Sequence, residues 1–416
     1  MIYTPDKAKE IYENEKKRYD EFVSLGLNLD MSRGKPNKEQ LDISDGMFDE
    51  IYRSKGIIGS NDYRNYGILD GIPEAKKIFA DLSGVTESQI IIMGNSSLNI
   101  MYDTVQRAMQ FGVLGGVPFN KQGKIKWICP VPGYDRHFSV TEVFGIEMIN
   151  VPMKSDGPDM DMIEELVKDE SVKGVWCVPK YSNPQGIVYS DEVVERFAAL
   201  KPAAKDFRIY WDNAYMIHYI TEDVPLLNIF DAAKKYGNED LIYMFGSTSK
   251  MTFAGAGVAW ICASENNIAD IKKYMGYQTI GFNKLNQLAH VLFFKSADGI
   301  REHMKKHAEM IRPRFDLVLN ILDEELGGLC EWVKPAGGYF IGIDLPDFTA
   351  KRAVALSKAA GVTMTGAGAT YPYKNDPRDR NVRIAPTYPS EEELAAAMRV
   401  FCCSVKLAWA EKILNA

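Results

Sequence analysis

With 416 residues, 46% of them hydrophobic and 25% charged, the chain suits two globular units of ordinary size rather than one small core. A formal net charge of −7 excludes the broad basic footprint of a nucleic-acid binder. Six cysteines (Cys129, Cys177, Cys262, Cys330, Cys402 and Cys403) sit in apolar runs without metal-ligand spacing, no basic-then-apolar leader opens the chain, and no apolar run reaches the roughly 20 residues that span a bilayer, so a soluble, cytoplasmic protein with reduced thiols and no membrane or nucleic-acid partner is expected.

The first element is an amphipathic helix from Asp6 to Leu25, suited to packing on its own domain or to serving as a lid. Leu29 to Pro36 is punctuated as an irregular loop in which Gly34 allows a close backbone approach. Asn65 to Glu74 leads into a helix that starts near Pro73. Gln89–Met93 reads as a buried strand, and the turn Gly94-Asn95-Ser96-Ser97 then opens a helix to Phe111, an order that aims free N–H groups at an anion. Strands follow at Lys126–Cys129, Glu147–Val151, Gly174–Val178, Phe207–Trp211 and Leu241–Phe245, with helices at Met160–Val167 and Asp191–Leu200 between them.

Polar clusters stand at the strand exits. They are Tyr134-Asp135-Arg136-His137, Asn183-Pro184-Gln185-Gly186, Asp212-Asn213-Ala214-Tyr215 and Gly246-Ser247-Thr248-Ser249-Lys250. The alternation predicts a mostly parallel, doubly wound α/β sheet with these clusters along its C-terminal edge, where open sheets bind ligands. Phe253 to Ala259 offers Lys250 no carboxylate, and a lysine without a counter-ion in an apolar site loses its proton readily and can attack a carbonyl. Taken alone, Lys250 also suits a solvated turn. From about Lys284 long helices take over, one passing through His303 to Leu322, with short strands near Trp332, Phe340–Ile343 and Asn381–Ile384. This region and the N-terminal segment predict a smaller α+β domain, so the expected boundaries are 1–48 (N-terminal part of the small domain), 49–290 (large domain) and 291–416 (small domain).

Each cluster alone also suits an ordinary connection, but their order and spacing do not. Tyr66 to Glu74, Asn183 to Gly186, Asp212 to Tyr215, Ser247 to Lys250, Gly337 to Phe340 and Arg383 together resemble the fold-type-I pyridoxal-phosphate-dependent aminotransferases of class I, as a divergent subgroup of the aspartate aminotransferase type. The resemblance implies pyridoxal 5′-phosphate held as a Schiff base on Lys250, with Lys250 also moving the substrate's Cα proton. It implies Asp212 on the ring nitrogen, backed by His137 unless that residue is merely a satisfied core histidine. Asn183 and Tyr215 are then expected on the phenolic oxygen, Tyr134 on the ring face, and Asn95, Ser96, Ser97 and Ser247 around the phosphate.

In the same resemblance Tyr66 reaches the phosphate of a neighbouring subunit, which implies a homodimer with shared active sites. One position departs from the pattern, because the usual phosphate-binding arginine after the lysine falls on Gly257. Lys284 is the expected substitute, ahead of Lys180 and Arg33. Arg383 matches the clamp on the substrate α-carboxylate, with Gly34 adding backbone contact. Arg136, beside the ring, would be costly to leave unpaired, which suggests a dicarboxylic substrate such as aspartate or glutamate with its 2-oxo acid. An aminotransferase for aromatic or neutral amino acids, a lyase or decarboxylase on the same scaffold, and a cofactor-sensing regulatory domain are the alternatives, and the last needs a basic winged-helix segment ahead of this domain, where only some thirty residues precede Gly34.

Overall fold

The computed structural model describes residues 5–415. An eight-stranded sheet forms the centre, in the spatial order Ile90–Ile92, Ala259–Ala263, Ile242–Ser247, Arg208–Asp212, Val172–Cys177, Lys126–Val131, Glu147–Lys154 and Gly157–Pro158. The five from Ile242–Ser247 to Glu147–Lys154 pair in parallel, whereas Ala259–Ala263 runs antiparallel to both neighbours.

Burial explains why these segments read as continuous apolar runs. Every residue of Val172–Cys177, Arg208–Asp212, Ile242–Ser247 and Ala259–Ala263 is buried, because helices cover both faces of the sheet. Successive side chains alternate between two cores: Ile209, Trp211, Ile242 and Met244 join one, and Tyr210, Tyr243 and Phe245 the other. The strand Ala259–Ala263 was not anticipated, since glycines and alanines on its N-terminal side dilute the apolar signal.

Register then decides what meets at the C-terminal edge. Asp212 pairs with Phe245, two residues before Ser247, and Trp211 pairs with Cys177, which precedes the Asn183 loop. The polar clusters of four consecutive parallel strands are thereby brought to one rim.

A second core joins Tyr19 and Met31 to residues 311–408. It holds the antiparallel sheet Glu331–Trp332, Ile341–Asp344, Asn381–Ile384 and the helices Ala297–Leu326, Ala350–Ala359 and Glu391–Leu414. The N-terminal helix Pro5–Ser24 docks here, with Ala8 against Trp409 and Ala410. Arg18 grips Glu325 through two hydrogen bonds of 2.8 and 2.6 Å, and Lys406 reaches the same carboxylate at 2.5 Å. These cations hold Glu325 at about 2 against the desolvation that would raise it. The expected loop at Leu29 is corrected in part, because Leu29–Asp30 forms a short strand parallel to Val362–Thr363. Among the described residues no helix is long and apolar enough to cross a membrane.

Candidate active site

Asp212, 3% exposed, ends the strand Arg208–Asp212. Its Oδ2 lies 3.0 Å from His137 Nε2, while Oδ1 is buried with no hydrogen-bond partner among the described residues. His137 lies on the helix Asp135–Val143 that follows the neighbouring strand, and its ring stacks on Trp176 at 4.5 Å. Trp176 Nε1 in turn donates to Thr141 Oγ1 at 2.7 Å, one helical turn past the histidine. Tyr134, just ahead of that helix, meets His137 edge-on at 4.9 Å.

Lys250 follows the adjacent strand Ile242–Ser247, and its Nζ lies 5.0 Å from the Tyr215 ring centroid and 6.0 Å from that of Tyr339. Burial pulls the ammonium below its usual pKa, Asp212 opposes that pull, and Arg383 adds to it. Three residues distant in sequence clamp the backbone beneath the lysine, and of these only Tyr339 lies in a motif singled out from the sequence. Tyr339 donates to the Lys250 carbonyl at 3.3 Å, and His303 and His307 lie 2.8 and 3.0 Å from the Met251 carbonyl through Nε2. Gln40, from the N-terminal segment, joins these supports by donating to the Tyr339 hydroxyl and pairing with His307 Nδ1, both at 2.9 Å.

A second group of residues surrounds the first turn of Ser97–Phe111. Ser96 is extended and its side chain makes no cap, so the N–H groups of that turn are left for another acceptor. Ser247 Oγ and Ser249 Oγ are 3.1 Å apart, and Ser249 Oγ approaches the Asn95 carbonyl at 3.4 Å. Gly257 lies against this turn, where an added Cβ would meet the Asn95 oxygen at 2.9 Å. An arginine at this position therefore needs the backbone to shift. Asn286 fixes the loop by donating to the carbonyls of Ala256 and Gly257 at 2.8 and 2.9 Å. His290 accompanies it, with Nδ1 2.8 Å from the Asn286 carbonyl and Nε2 near the hydroxyls of Thr248 and Thr252. A cavity of about 630 Å³, lined in part by Asn95, Gly257, Phe282 and Asn286, opens beside this turn.

Arg383, 7% exposed, closes the other side. Its Nη1 bonds Asp135 Oδ1 at 2.8 Å and Asn183 Oδ1 at 3.3 Å, and its guanidinium lies 4.6 Å from the centroid of the Phe340 ring. Gly34 backs that ring so closely that a Cβ would lie 2.4 Å from it. Tyr215 is buried, which raises its hydroxyl pKa strongly, with Tyr134, Arg383 and Asp212 all acting on it electrostatically.

The remaining sequence candidates are exposed or bonded to other groups. The premise behind Arg136 is not met, since its side chain is 62% exposed and only reaches Asp135 at 4.0 Å. Tyr66 is 85% exposed, and the buried Lys284 donates to the Gly67 carbonyl at 3.1 Å. Lys180 is tied to Asp223 at 2.6 Å, and Arg33 is exposed. Asp135, Gln40, His303 and His307 are the residues that sequence reasoning passed over.

A family model for the aspartate amino-transferases matches residues 3–416. The chain belongs to this family. The aspartate aminotransferase of Corynebacterium glutamicum is 46% identical over 411 residues, covering 97% of this chain and 95% of the relative. A crystal structure of an aspartate transaminase from the same organism superposes with a TM-score of 0.95 at 46% identity, over 98% of this chain and 97% of the other. The fold extends to α-aminoadipate aminotransferase LysN of Thermus thermophilus, solved with N-(5′-phosphopyridoxyl)-L-leucine, at 20% identity and a TM-score of 0.77 over 92% and 93% of the two chains. Membership makes this chain an aminotransferase, and the family implies pyridoxal phosphate as cofactor.

The buried histidines make the site region sensitive to acid. Burial lowers His290 from 6.5 to about 4, so between these values the unfolded chain binds more protons than the folded one. Stability from this residue is complete above about pH 6.5 and is lost as the pH falls toward 4, by roughly 3 kcal/mol in all. The unfolding temperature should therefore drop between pH 7 and pH 4.5 in the wild type, and drop less in His290→Asn. Equal falls in the two proteins would contradict the role given to His290.

Proposed function

We propose that the chain is a pyridoxal-phosphate-dependent aminotransferase that exchanges amino groups between aspartate or glutamate and 2-oxo acids. The observation that carries the reading is the buried, partnerless Oδ1 of Asp212 at the rim that also holds Lys250. A buried carboxylate oxygen calls for a donor, and the protonated ring nitrogen of pyridoxal phosphate is one. When bound, the cofactor supplies an aldehyde carbon that exchanges amines and a ring that accepts the electron pair released at Cα.

This chain's residues supply the rest. Lys250, held below its usual pKa by burial, would serve as the base that takes the substrate's Cα proton and as the acid that gives a proton back to the cofactor's aldehyde-derived carbon. Asp212 retains the proton on the ring nitrogen, and His137 fixes the carboxylate's orientation. Asn183 accepts from Arg383 through Oδ1, which leaves its amide N–H₂ to donate, and together with the Tyr215 hydroxyl it would hold the phenolic oxygen. Tyr134 would cover a face of the ring. The first-turn N–H groups after Ser96, with Asn95, Ser96, Ser97 and Ser247, hold the phosphate, and Lys284 provides the cation that Gly257 cannot. Arg383 binds the α-carboxylate. The preference for aspartate rests on the relative that is 46% identical, since the exposure of Arg136 removes the desolvation argument for a distal carboxylate there.

Reduction of the cofactor-loaded protein with borohydride, followed by peptide mapping, should label Lys250. Lys250→Ala should lose about 10,000-fold or more of the aspartate–oxoglutarate exchange rate, being deprived of both covalent capture and proton transfer. Label on another lysine would overturn the assignment.

The reading also makes the enzyme a homodimer in which the exposed Tyr66 completes the partner's site, with Lys284 beside it. Mixing inactive Lys250→Ala protein with inactive Tyr66→Phe, Lys284→Ala protein should restore activity through hybrid dimers carrying one intact site. A mixture that stays inactive despite demonstrated subunit exchange would sink the shared-site arrangement.

A further inference from the structure

Resting on the reading of Arg383 as the carboxylate fork, we propose that Asp135 is a resident counter-ion that occupies this fork between turnovers and is handed to Arg136 when a substrate carboxylate arrives. A guanidinium as buried as Arg383 is costly to leave without an anion, and Asp135 Oδ1 at 2.8 Å supplies one from within the chain. The contact is one-pronged. Only Nη1 reaches the aspartate, and the buried Nε has no hydrogen-bond partner among the described residues. A substrate carboxylate that engages two N–H groups side by side therefore outcompetes the resident one.

The two partners differ in freedom to move. Arg383, with a side chain 8% exposed, is pinned by Asn183 at 3.3 Å and by the Phe340 ring at 4.6 Å, itself wedged against Gly34. The Asp135 side chain is 30% exposed and stands in the first turn of the helix Asp135–Val143, so a side-chain rotation suffices to release it. Its second oxygen already faces Arg136 Nε at 4.0 Å, and that arginine is 62% exposed and free to close the distance. Arg136 thus receives the displaced carboxylate.

The consequence is selectivity by charge. A ligand must bring its own carboxylate to open the fork, so simple amines and neutral molecules cannot claim Arg383. Every carboxylate ligand also binds more weakly than Arg383 alone would allow, by the strength of the pair it displaces.

Succinate, a dicarboxylate without an amine, reads this without turnover. Calorimetric titration of the purified protein should give Asp135→Asn an affinity about tenfold or more above wild type, the direction expected when a charge-assisted competitor is removed. Asp135→Ala should move the same way, and the unfolding temperatures of both variants establish that they are folded. Arg136→Ala should weaken succinate binding in the wild type and leave it unchanged in Asp135→Asn, because no carboxylate then needs receiving. Equal or weaker binding by both Asp135 variants overturns the gate, and equal weakening by Arg136→Ala in the two backgrounds overturns the hand-off. Arg383→Ala separates the gate from its premise. If that variant binds succinate like wild type, Arg383 is not the carboxylate fork and the underlying reading fails; if it abolishes binding while Asp135→Asn changes nothing, the gate alone fails.

Discussion

The structure depends on one buried pair, Asp212 with His137. A carboxylate that ends a central strand and is 3% exposed is unfavourable unless its oxygens find donors. His137 at 3.0 Å satisfies one oxygen and leaves the other open. Much of the large sheet serves to hold this arrangement. Trp176 stacks under the imidazole, Thr141 anchors Trp176, and parallel pairing sets Asp212 beside the strand that carries Lys250. A polar pair this deep is stable only with its surroundings fixed, which explains why so many aromatic rings converge on it.

The lysine is governed by a different kind of constraint. Its ammonium is destabilised by burial, but its backbone is held by a chain of neutral donors: Tyr339 on the Lys250 carbonyl, His303 and His307 on the next. Burial lowers both histidines, and a proton on His307 Nδ1 would face the amide N–H₂ of Gln40, so the network is complete only with His307 neutral. Because Gln40 belongs to the N-terminal segment and the histidines to the helix Ala297–Leu326, three distant parts of the chain converge under a single residue. Sites that must hold a reactive group within fractions of an ångström are commonly supported in this way.

What could be read from the sequence follows from the range of the interactions. Strand-end residues such as Asp212, Ser247 and Lys250 were legible because apolar runs mark the strands and chain direction puts their exits on one rim. Asp135 was passed over although it adjoins Tyr134, because its partner is 248 positions away. Gln40 reaches His307 and Tyr339 over 267 and 299 positions, distances at which no local pattern exists. Arg136 shows the complementary limit, since proximity in sequence to Tyr134 carries no information about how exposed a side chain in the first helical turn is. At Gly257, where the resemblance places an arginine, the carbonyl of Asn95 lies 2.9 Å from the position of an added Cβ, a contact between residues more than 150 positions apart that no local pattern shows.

The claim that Asp212 holds a proton on the ring nitrogen is the centre of the account and is open to direct measurement. Nitrogen-15 NMR of the protein loaded with ring-labelled pyridoxal phosphate reports whether that nitrogen carries hydrogen. At neutral pH the account predicts the resonance of a protonated nitrogen in the wild type and its move to the unprotonated position in Asp212→Ala. An unprotonated nitrogen in the wild type, or a protonated one that survives Asp212→Ala unchanged, would contradict it.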